Sequence, residues 1–296
     1  MQLRSRFATG GVVAVAAAKG SATADVLTQS TKRAAKRRPI KIEYEAEPSK
    51  RPRLTSNPVD RSKSSFKPHA KWAEMLDAIK HMRSQTQAPV DMMGCERVAD
   101  VAASPKDQRY QALLGLMLSS QTKDPVTFEA MQNLKRHGCT AQNIINTPDS
   151  VLNELIKKVG FHNKKTTYIK QATQILLDKY DGDIPPSIEE MCKLPGVGPK
   201  MAYILMSVGW NRVEGIGVDV HVHRISQRLG FVPKTVKTPE DTRKALEGWL
   251  PFEHWSTINL LLVGFGQTIC TPVSPNCEAC HINNTCPSAF KARGKK

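Results

Sequence analysis

Apolar residues at helical spacing recur through most of this chain, and this pattern limits the possible folds more than any other feature. From Trp72 onward, single apolar stripes follow the period of about 3.6 residues that one face of an α-helix requires. Four such stripes are formed by Trp72, Met75, Leu76, Ile79 and Met82; by Tyr110, Leu113, Leu114, Met117 and Leu118; by Val151, Leu152, Leu155, Ile156 and Val159; and by Tyr168, Ala172, Ile175 and Leu176. Few segments alternate with the period of two that a strand needs. The sequence therefore predicts an all-α body of roughly ten helices.

Residues 1–70 differ from this body in composition. They contain few aromatic residues, no sustained apolar period, and many Ala, Ser, Lys, Arg and Pro residues, which predicts a disordered tail before a folded body at 71–296. Basic clusters at 32–38 and 50–53 favour a nuclear import signal over a tail that only adds affinity for DNA. Residues 1–24 carry no acidic side chain, so a mitochondrial transit peptide is a second interpretation of the N-terminal segment.

The charge of the chain points to an anionic partner and excludes other classes. The formal net charge is +16, of which +11 falls within residues 1–71. Such an excess suggests nucleic acid, although charge alone predicts only non-specific attraction. No run of apolar residues is long enough for a transmembrane helix, and the apolar segment 11–18 is too short to span a bilayer. We therefore expect an intracellular protein that does not enter the membrane.

A glycine-rich turn with the sequence Leu-Pro-Gly-Val-Gly separates two helical segments within residues 187–209. Gly196 and Gly198 allow the backbone to turn sharply and to approach a ligand closely. The second helix is predicted to begin near Pro199, so its first amide groups are unpaired and its dipole is positive at that end. Such a turn can hold a phosphate through backbone N–H groups. An ordinary helix cap followed by another helix is the alternative.

Two charged residues that follow this turn have the character of an active site. Lys200 lies in the first turn of the helix, where the positive dipole end favours the neutral amine, the nucleophile of Schiff-base chemistry. A second phosphate contact is its alternative role. Asp219 follows Gly215 and Gly217 and is predicted to open the next helix, either as a simple N-cap or as a functional carboxylate. His221 is predicted to face DNA or to make a structural hydrogen bond rather than to bind a metal.

Four of the seven cysteines lie close together near the C-terminus. The spacing C-x6-C-x2-C-x5-C is formed by Cys270, Cys277, Cys280 and Cys286. Four thiolates at this spacing can close around one metal centre, and a [4Fe–4S] cluster is favoured because zinc ribbons usually offer two short pairs. The odd number of cysteines and their clustering argue against a disulfide framework. Cys95, Cys139 and Cys192 are predicted to be isolated, buried thiols.

Taken in this order and at this spacing, three motifs resemble the endonuclease III family of DNA glycosylases. They are LPGVGPKMA at 194–202, VDVHVHR at 218–224 and the four-cysteine loop at 270–286. The resemblance extends over roughly residues 72–288. The three motifs contain the candidate nucleophile, the candidate carboxylate and the candidate cluster loop. The resemblance therefore implies a role for each of them.

The resemblance implies roles for individual residues. Lys200 stands where the family has its hairpin-turn lysine, Asp219 where it has its aspartate, and the four cysteines where it has its cluster ligands. The segment LMLSSQTKD is similar to a loop whose glutamine fills the space left by a flipped base, which places that role on Gln121. The segment KVGFHNKK is similar to a second loop inserted into the duplex, with Phe161 as the apolar wedge.

The resemblance also implies an architecture. The expected fold is all-α, with two helical lobes and DNA in the cleft between them. A six-helix barrel lobe at about 109–230 would carry the helix-hairpin-helix element at 187–209. The second lobe would combine residues 71–108 with residues 231–296 and would contain the [4Fe–4S] loop at 270–286.

The implied activity is that of a bifunctional DNA N-glycosylase and AP lyase that removes oxidised pyrimidines, such as thymine glycol, in base excision repair. Lys200 would form a Schiff base at C1′, Asp219 would stay ionised, and β-elimination would cut the strand. The expected partners are double-stranded DNA with oxidised bases or abasic sites and downstream proteins of base excision repair. The enzyme is expected to be a monomer in the nucleus, with the mitochondrion as a second location.

Two alternatives remain from the sequence. An adenine glycosylase of the same fold normally lacks a lysine at the position of Lys200. A non-catalytic iron–sulfur module that binds DNA would use the glycine turn but would not need both Lys200 and Asp219. Both alternatives are therefore less consistent with the motifs than a bifunctional enzyme.

Overall fold

The computed structural model describes residues 66–291. The basic clusters at 32–38 and 50–53 and the segment at 1–24 lie outside the described residues. Their predicted targeting roles, and the predicted disorder of most of the tail, therefore stay predictions.

Within residues 66–291 the chain forms twelve α-helices and no β-strand, which confirms the predicted all-α class. The helices are α1 Trp72–Gln85, α2 Pro89–Met93, α3 Pro105–Ser119, α4 Asp124–His137, α5 Ala141–Asn146, α6 Asp149–Leu155, α7 His162–Tyr180, α8 Ile188–Met191, α9 Pro199–Trp210, α10 Val220–Leu229, α11 Pro239–Glu247 and α12 Ile258–Thr268. Two 3₁₀ turns lie at Cys95–Arg97 and Phe252–His254. None of these helices is long and apolar enough to cross a membrane.

The predicted start signals act as helix caps. The Thr238 hydroxyl accepts a hydrogen bond from the Asp241 amide at 3.1 Å, and Pro239 takes the first position of α11, where no amide donor is needed. The Ser187 hydroxyl accepts from the Glu190 amide at 3.3 Å and caps α8.

The helix before the glycine turn is shorter than the sequence predicted. The segment 187–193 was expected to be helical throughout, whereas α8 spans only Ile188–Met191. After it, the Lys193 amide donates to the Glu190 carbonyl and the Leu194 amide to the Met191 carbonyl. These hydrogen bonds join each amide to the carbonyl three residues earlier, as in a 3₁₀ turn. They tighten the chain before Pro195, which cannot continue a helix.

Buried side chains between Val98 and Met206 form a first hydrophobic core. Helix α3 lies at its centre and packs against α4, α7 and α9. The Tyr110 hydroxyl of α3 pairs with the Thr173 hydroxyl of α7 at 2.7 Å, so the one polar tip of this large buried ring has a partner. We call residues 98–210 the first lobe.

A second core joins both ends of the described chain. It combines buried residues of α1 and α2 with residues from Ile216 to Ile282. We call residues 72–93 together with residues 216–286 the second lobe. The sequence predicts a barrel lobe that ends at about 230; in the structure Val222, Ile225 and Leu229 of α10 are buried in the second core, where α10 packs against α12.

The connection between α9 and α10 therefore leads from one lobe to the other. Helix α9 buries Ala202, Leu205 and Met206 in the first core, and Asn211 ends it with φ at +51°. The segment that follows enters the second core at Ile216. Lys200 at the start of α9 and Asp219 at the start of α10 consequently belong to different lobes.

Candidate active site

The two glycines of the turn between α8 and α9 have different roles. Gly196 has φ at +81°, a conformation that favours glycine, and a Cβ there would lie 2.8 Å from Cδ2 of Tyr168. Gly198 has φ at −111°, which any residue adopts, and a Cβ there would meet nothing within 4 Å. Gly196 is therefore required by the turn, whereas Gly198 leaves open space where a ligand can approach the backbone.

Backbone donors surround that open space. The amide groups of Gly198, Lys200 and Met201 donate to no other residue in the described part of the chain. They stand at the N-terminus of α9, where unpaired N–H groups and the helix dipole both favour an anion. The turn can thus hold a phosphate group as the sequence predicted.

Lys200 and Asp219 line the same cleft, which has a volume of about 920 Å³. Residues of both lobes form its walls: from the first lobe Ser119–Pro125, Lys200, Met201 and Ile204, and from the second lobe Val218–His221, Asn259, Leu260, Val263, Gly266 and Gln267. Lys200 is half-buried, and its ammonium group makes no hydrogen bond or ion pair with any described residue. Its nitrogen is therefore available to a molecule in the cleft.

Asp219 combines a structural contact with an available oxygen. Its Oδ1 accepts from the amides of His221 at 2.9 Å and Val222 at 2.8 Å, so it caps α10. Its Oδ2 has no hydrogen-bond partner among residues 66–291. The cap fixes the carboxylate while one oxygen stays free toward the cleft, so the two roles left open by the sequence are compatible.

His221 lies between the charged groups of the cleft. Burial lowers the pKa of His221 below its ordinary value; Asp219 and Asp124 oppose this shift, while Arg224 and Lys200 add to it. The imidazole is therefore neutral at neutral pH and can donate or accept a hydrogen bond. Its half-buried position on the cleft wall is consistent with the predicted contact to DNA.

Sequence reasoning missed the residues that hold the segment before Asp219. Asn259 of α12 is buried and donates through Nδ2 to the Gly217 carbonyl. The Oε1 atom of Glu247 accepts from the Ile216 amide at 2.8 Å. Both partners lie more than thirty residues away along the chain, and no local pattern marks such a contact.

A further contact joins the lobes beside the cleft. The Oε1 atom of Gln267 accepts from the Val90 amide at 3.0 Å, and its Nε2 donates to Oδ2 of Asp124 at 2.8 Å. Val90 and Gln267 belong to the second lobe, whereas Asp124 is the first residue of α4 in the first lobe. One amide side chain thus ties both lobes at the cleft wall.

The prediction of three isolated, buried thiols is only partly correct. Cys139 is buried in the first core, and burial raises the pKa of its thiol to about 12. Cys95 and Cys192, however, are half-buried. Cys95 lies in the 3₁₀ turn after α2 and lines the cleft, and Cys192 follows the short helix α8, whose early end exposes it.

The structure brings the loops of Gln121 and Phe161 together. Gln121 is exposed between α3 and α4, with φ at +52°, and lines the cleft. Phe161 precedes α7 with φ at +58° and is 65% exposed. The Gly160 amide donates to the Thr122 hydroxyl at 3.2 Å, so the two loops touch. Both side chains thus project from neighbouring loop tips.

The four C-terminal cysteines line one cavity of the second lobe, where Leu229, Phe265, Ile269 and Ile282 contribute an apolar wall. Burial raises the pKa of Cys280 to about 11, and repulsion from the sulfurs of Cys270, Cys286 and Cys277 adds to it. Burial likewise raises the pKa of Cys286. Thiolates gathered in such a site repel one another unless a cationic centre balances their charge.

Four thiols in one place are a donor set that an iron–sulfur cluster can use. Among residues 66–291 no group of three or more His, Cys, Asp or Glu side chains is placed so as to hold a metal ion. Arg228 donates through Nη1 to Sγ of Cys270 at 3.4 Å, and the Phe290 amide donates to Sγ of Cys277 at 3.5 Å. Hydrogen bonds of this kind accompany the sulfur ligands of iron–sulfur clusters.

Helix α10 joins the cysteine loop to the cleft. Arg224 donates to the Cys270 carbonyl at 2.9 Å, and Arg228 donates to the Thr271 carbonyl at 2.7 Å. Asp219 caps the opposite end of the same helix. The order of the cysteine loop and the placement of the carboxylate therefore depend on one element.

Known proteins are similar to this chain in sequence. The family model described as "HhH-GPD superfamily base excision DNA repair protein" matches residues 114–252. The chain is 56% identical over 218 residues to Endonuclease III-like protein 1 of Bos taurus, a match that covers 74% of this chain and 72% of the relative. It is 48% identical over 252 residues to the protein of the same name from Gallus gallus, covering 85% of this chain and 86% of that one.

Solved structures show the same fold. A trapped covalent intermediate of endonuclease III with DNA matches with a TM-score of 0.65 and 29% sequence identity. The match covers 76% of this chain and 99% of that chain. The two-lobed architecture described above is therefore shared almost over the whole length of that protein.

Proposed function

Because the chain belongs to the endonuclease III family of HhH-GPD base excision DNA repair proteins, we propose that Lys200 is its nucleophile and Asp219 its catalytic carboxylate. The protein is a DNA glycosylase with AP lyase activity, and its fold is the helix-hairpin-helix glycosylase fold. The observation that carries the assignment is the shared cleft, which is lined both by the unpaired ammonium of Lys200 and by the Asp219 carboxylate with its one free oxygen.

The reaction follows from these two groups. The neutral amine of Lys200 attacks C1′ of the damaged nucleotide, so a C–N bond forms as the glycosidic bond breaks and the base leaves with the bonding electrons. The Asp219 carboxylate stabilises the positive charge that develops on the sugar and takes the proton from the attacking amine. The C1′–O4′ bond of the resulting aminal then opens, and O4′ takes a proton, which leaves a protonated imine at C1′. This imine acidifies C2′, and β-elimination expels the 3′ phosphate. Hydrolysis of the imine then restores Lys200.

The substrate is double-stranded DNA that contains an oxidised pyrimidine or an abasic site. The unpaired amides around Gly198 bind a backbone phosphate without reading sequence, and the turn at Gly196 presents them. Gln121 and Phe161 enter the duplex, where they replace stacking lost by the flipped base. His221 contacts the DNA from the cleft wall. Specificity for oxidised pyrimidines rests on membership of the family.

The cofactor is a [4Fe–4S] cluster held by Cys270, Cys277, Cys280 and Cys286. Its support is the cavity lined by four thiols and the N–H donors that bond two of the sulfurs. When bound, the cluster supplies the positive charge that lets buried thiolates coexist and so holds the loop in place. No step at Lys200 uses it.

The enzyme acts on nuclear DNA, in keeping with the basic clusters at 32–38 and 50–53 and with the similarity to vertebrate relatives. A second location in the mitochondrion, a monomeric state and contacts with downstream repair proteins stay predictions from the sequence.

Borohydride trapping on duplex DNA that contains thymine glycol tests the nucleophile. Reduction of the imine fixes the enzyme to DNA, so we expect Lys200→Ala to give no trapped complex. Lys193→Ala is the matched control, because it removes an exposed charge from the same hairpin, where Lys193 pairs only with Glu189 at 3.1 Å. Trapping by Lys200→Ala at the yield of the control would refute the assignment.

A further inference from the structure

One lysine that the catalytic scheme does not use is buried beside the cleft. Lys165 lies in the first turn of α7 and is 6% exposed. Its Nζ donates to the Leu118 carbonyl at 2.7 Å and to the Ser120 carbonyl at 2.6 Å, and it lies 3.3 Å from the Thr122 hydroxyl. Burying a long cationic side chain is costly unless its donors are paired, so this ammonium serves a specific geometry.

The acceptors of Lys165 lie in the last turn of α3, at Leu118, and in the loop that follows it and carries Gln121. Helix α3 ends at Ser119, and the last carbonyls of a helix lack partners within it. A cation at that end also complements the negative pole of the helix dipole. Lys165 therefore caps α3 from a neighbouring helix and fixes the path of residues 118–122.

The same contacts position the loop of Phe161. Lys165 follows Phe161 by one helical turn, and its own amide donates to the Phe161 carbonyl at 3.0 Å. The Thr122 hydroxyl, which Lys165 contacts, also accepts the Gly160 amide. A Cβ at Gly160 would lie only 2.7 Å from the Gln121 carbonyl oxygen, so the two backbones are in close contact.

We propose that Lys165 is a positioning residue that holds the Gln121 and Phe161 loop tips together as one rigid wedge for extruding a paired base. This inference rests on the proposed insertion of both tips into DNA. Both tips have left-handed backbone conformations, which non-glycine residues adopt only when their surroundings enforce them. Without Lys165 the two tips would move independently. They would then less often have the relative position that insertion into the base stack requires.

Lys170 provides a matched control on the same helix. Its Nζ donates to the carbonyls of Ile145 at 2.7 Å and Thr147, so it also caps a helix end, that of α5. Residues 145–147 do not line the cleft. Lys165→Met and Lys170→Met therefore remove the same type of interaction at sites with and without a connection to the loop tips.

The test compares single-turnover base release from two substrates in the full-length holoenzyme. In the first, thymine glycol is paired with adenine; in the second, it lies in an unpaired bubble, where little extrusion work remains. We expect Lys165→Met to slow release from the paired substrate about tenfold or more, as loss of positioning does, and from the bubble by less than about threefold. Lys170→Met should leave both rates near wild type. Equal losses on both substrates, or equal losses in the two variants, would overturn the inference.

A double-mutant cycle separates this inference from the proposed function. In a Gln121→Ala, Phe161→Ala background, Lys165→Met should cause no further loss on the paired substrate, because the tips it positions are gone. An additive loss would overturn the inference alone. If the tip replacements by themselves leave the rate on the paired substrate unchanged, the proposed insertion fails, and the inference fails with it.

Gly160→Ala provides a second variant if Lys165→Met does not fold. It keeps Lys165 but places a methyl group against the Gln121 carbonyl, which pushes the tips apart. The same preference for the bubble substrate is expected. A variant that folds and shows no such preference would contradict a rigid wedge.

Discussion

The two lobes differ in how the chain builds them. The first lobe is continuous, and its core comes from residues between Val98 and Met206. The second lobe joins α1 and α2 to residues that follow Ile216, so segments more than a hundred residues apart must meet. Closing such a long loop costs entropy before any contact forms. The cysteine cavity lies in this second lobe, where a bound cluster would offset part of that cost.

This difference explains the placement of the candidate catalytic groups. The continuous lobe supplies Lys200 and the loop tips at Gln121 and Phe161 that we propose to enter DNA, whereas the discontinuous lobe supplies Asp219. The cleft is complete only when both lobes are folded and joined. We therefore expect three kinds of change to have distinguishable effects on catalysis: a change in the first lobe, a change in the second lobe, and a change in the contact between them.

Asp219→Asn should have the largest effect of the changes that probe this division. Asparagine is as good an N-cap as aspartate, so the free energy of unfolding should change by less than about 1 kcal/mol. The negative charge that shares the cleft with Lys200 is lost, so single-turnover base release should fall by about 10² to 10³-fold. DNA binding, measured by fluorescence anisotropy, should stay within about twofold of wild type.

The matched control for this variant is Asp241→Asn, which alters the capping box of α11 at a residue that does not itself line the cleft. It should leave base release unchanged. If Asp219→Asn instead lowers binding and base release equally, Asp219 acts only as a helix cap and the catalytic assignment is wrong.

Cys280→Ser should have the next largest effect, and it should destabilise the second lobe without destabilising the first. Loss of a structural metal centre is among the most destabilising single changes, and we expect a cost of about 3 kcal/mol or more, confined to the second lobe. Hydrogen exchange should show lost protection in α10 and α12 and retained protection in α3 and α7. Iron and sulfide content should fall together.

The first lobe offers the mirror-image control. Cys139→Ser places a hydroxyl in the first core, so protection should decrease in that lobe while iron content stays at the wild-type level. Uniform loss of protection in both lobes after Cys280→Ser would show that the lobes fold as one unit.

Local patterns predicted the elements well and the lobes less well. The caps at Ser187, Thr238 and Asp219 and the turn at Gly196 follow from side chains within a few residues, and all four are observed. The apolar stripe of α10 predicts an amphipathic helix but does not tell which core the helix faces, and in the structure it packs in the second core.

The supporting residues of the cleft were hidden from the sequence for a related reason. Asn259, Gln267 and Lys165 act through hydrogen bonds to backbone groups that lie 42, 177 and 47 residues away. A polar residue in an amphipathic helix looks the same whether it faces water or a distant carbonyl. The sequence motifs indicate the candidate reactive groups, whereas the residues that hold the surrounding backbone in place are evident only in the folded structure.

Gln267→Leu should have the smallest effect, and it tests the joint between the lobes. Leucine keeps the approximate volume but leaves the Val90 amide and the Asp124 carboxylate without this partner. We expect the free energy of unfolding to fall by about 1 kcal/mol, as for a typical hydrogen bond. The value of kcat/KM should fall by about fivefold because Lys200 and Asp219 lie on different lobes, whose relative position then varies.

Gln227→Leu is the control, since Gln227 donates only to the Val236 carbonyl at 2.8 Å within the second lobe. A loss of kcat/KM in Gln227→Leu that matches that of Gln267→Leu would show that the Gln267 bond adds stability alone. A selective loss in Gln267→Leu would show that the alignment of the two lobes limits the reaction.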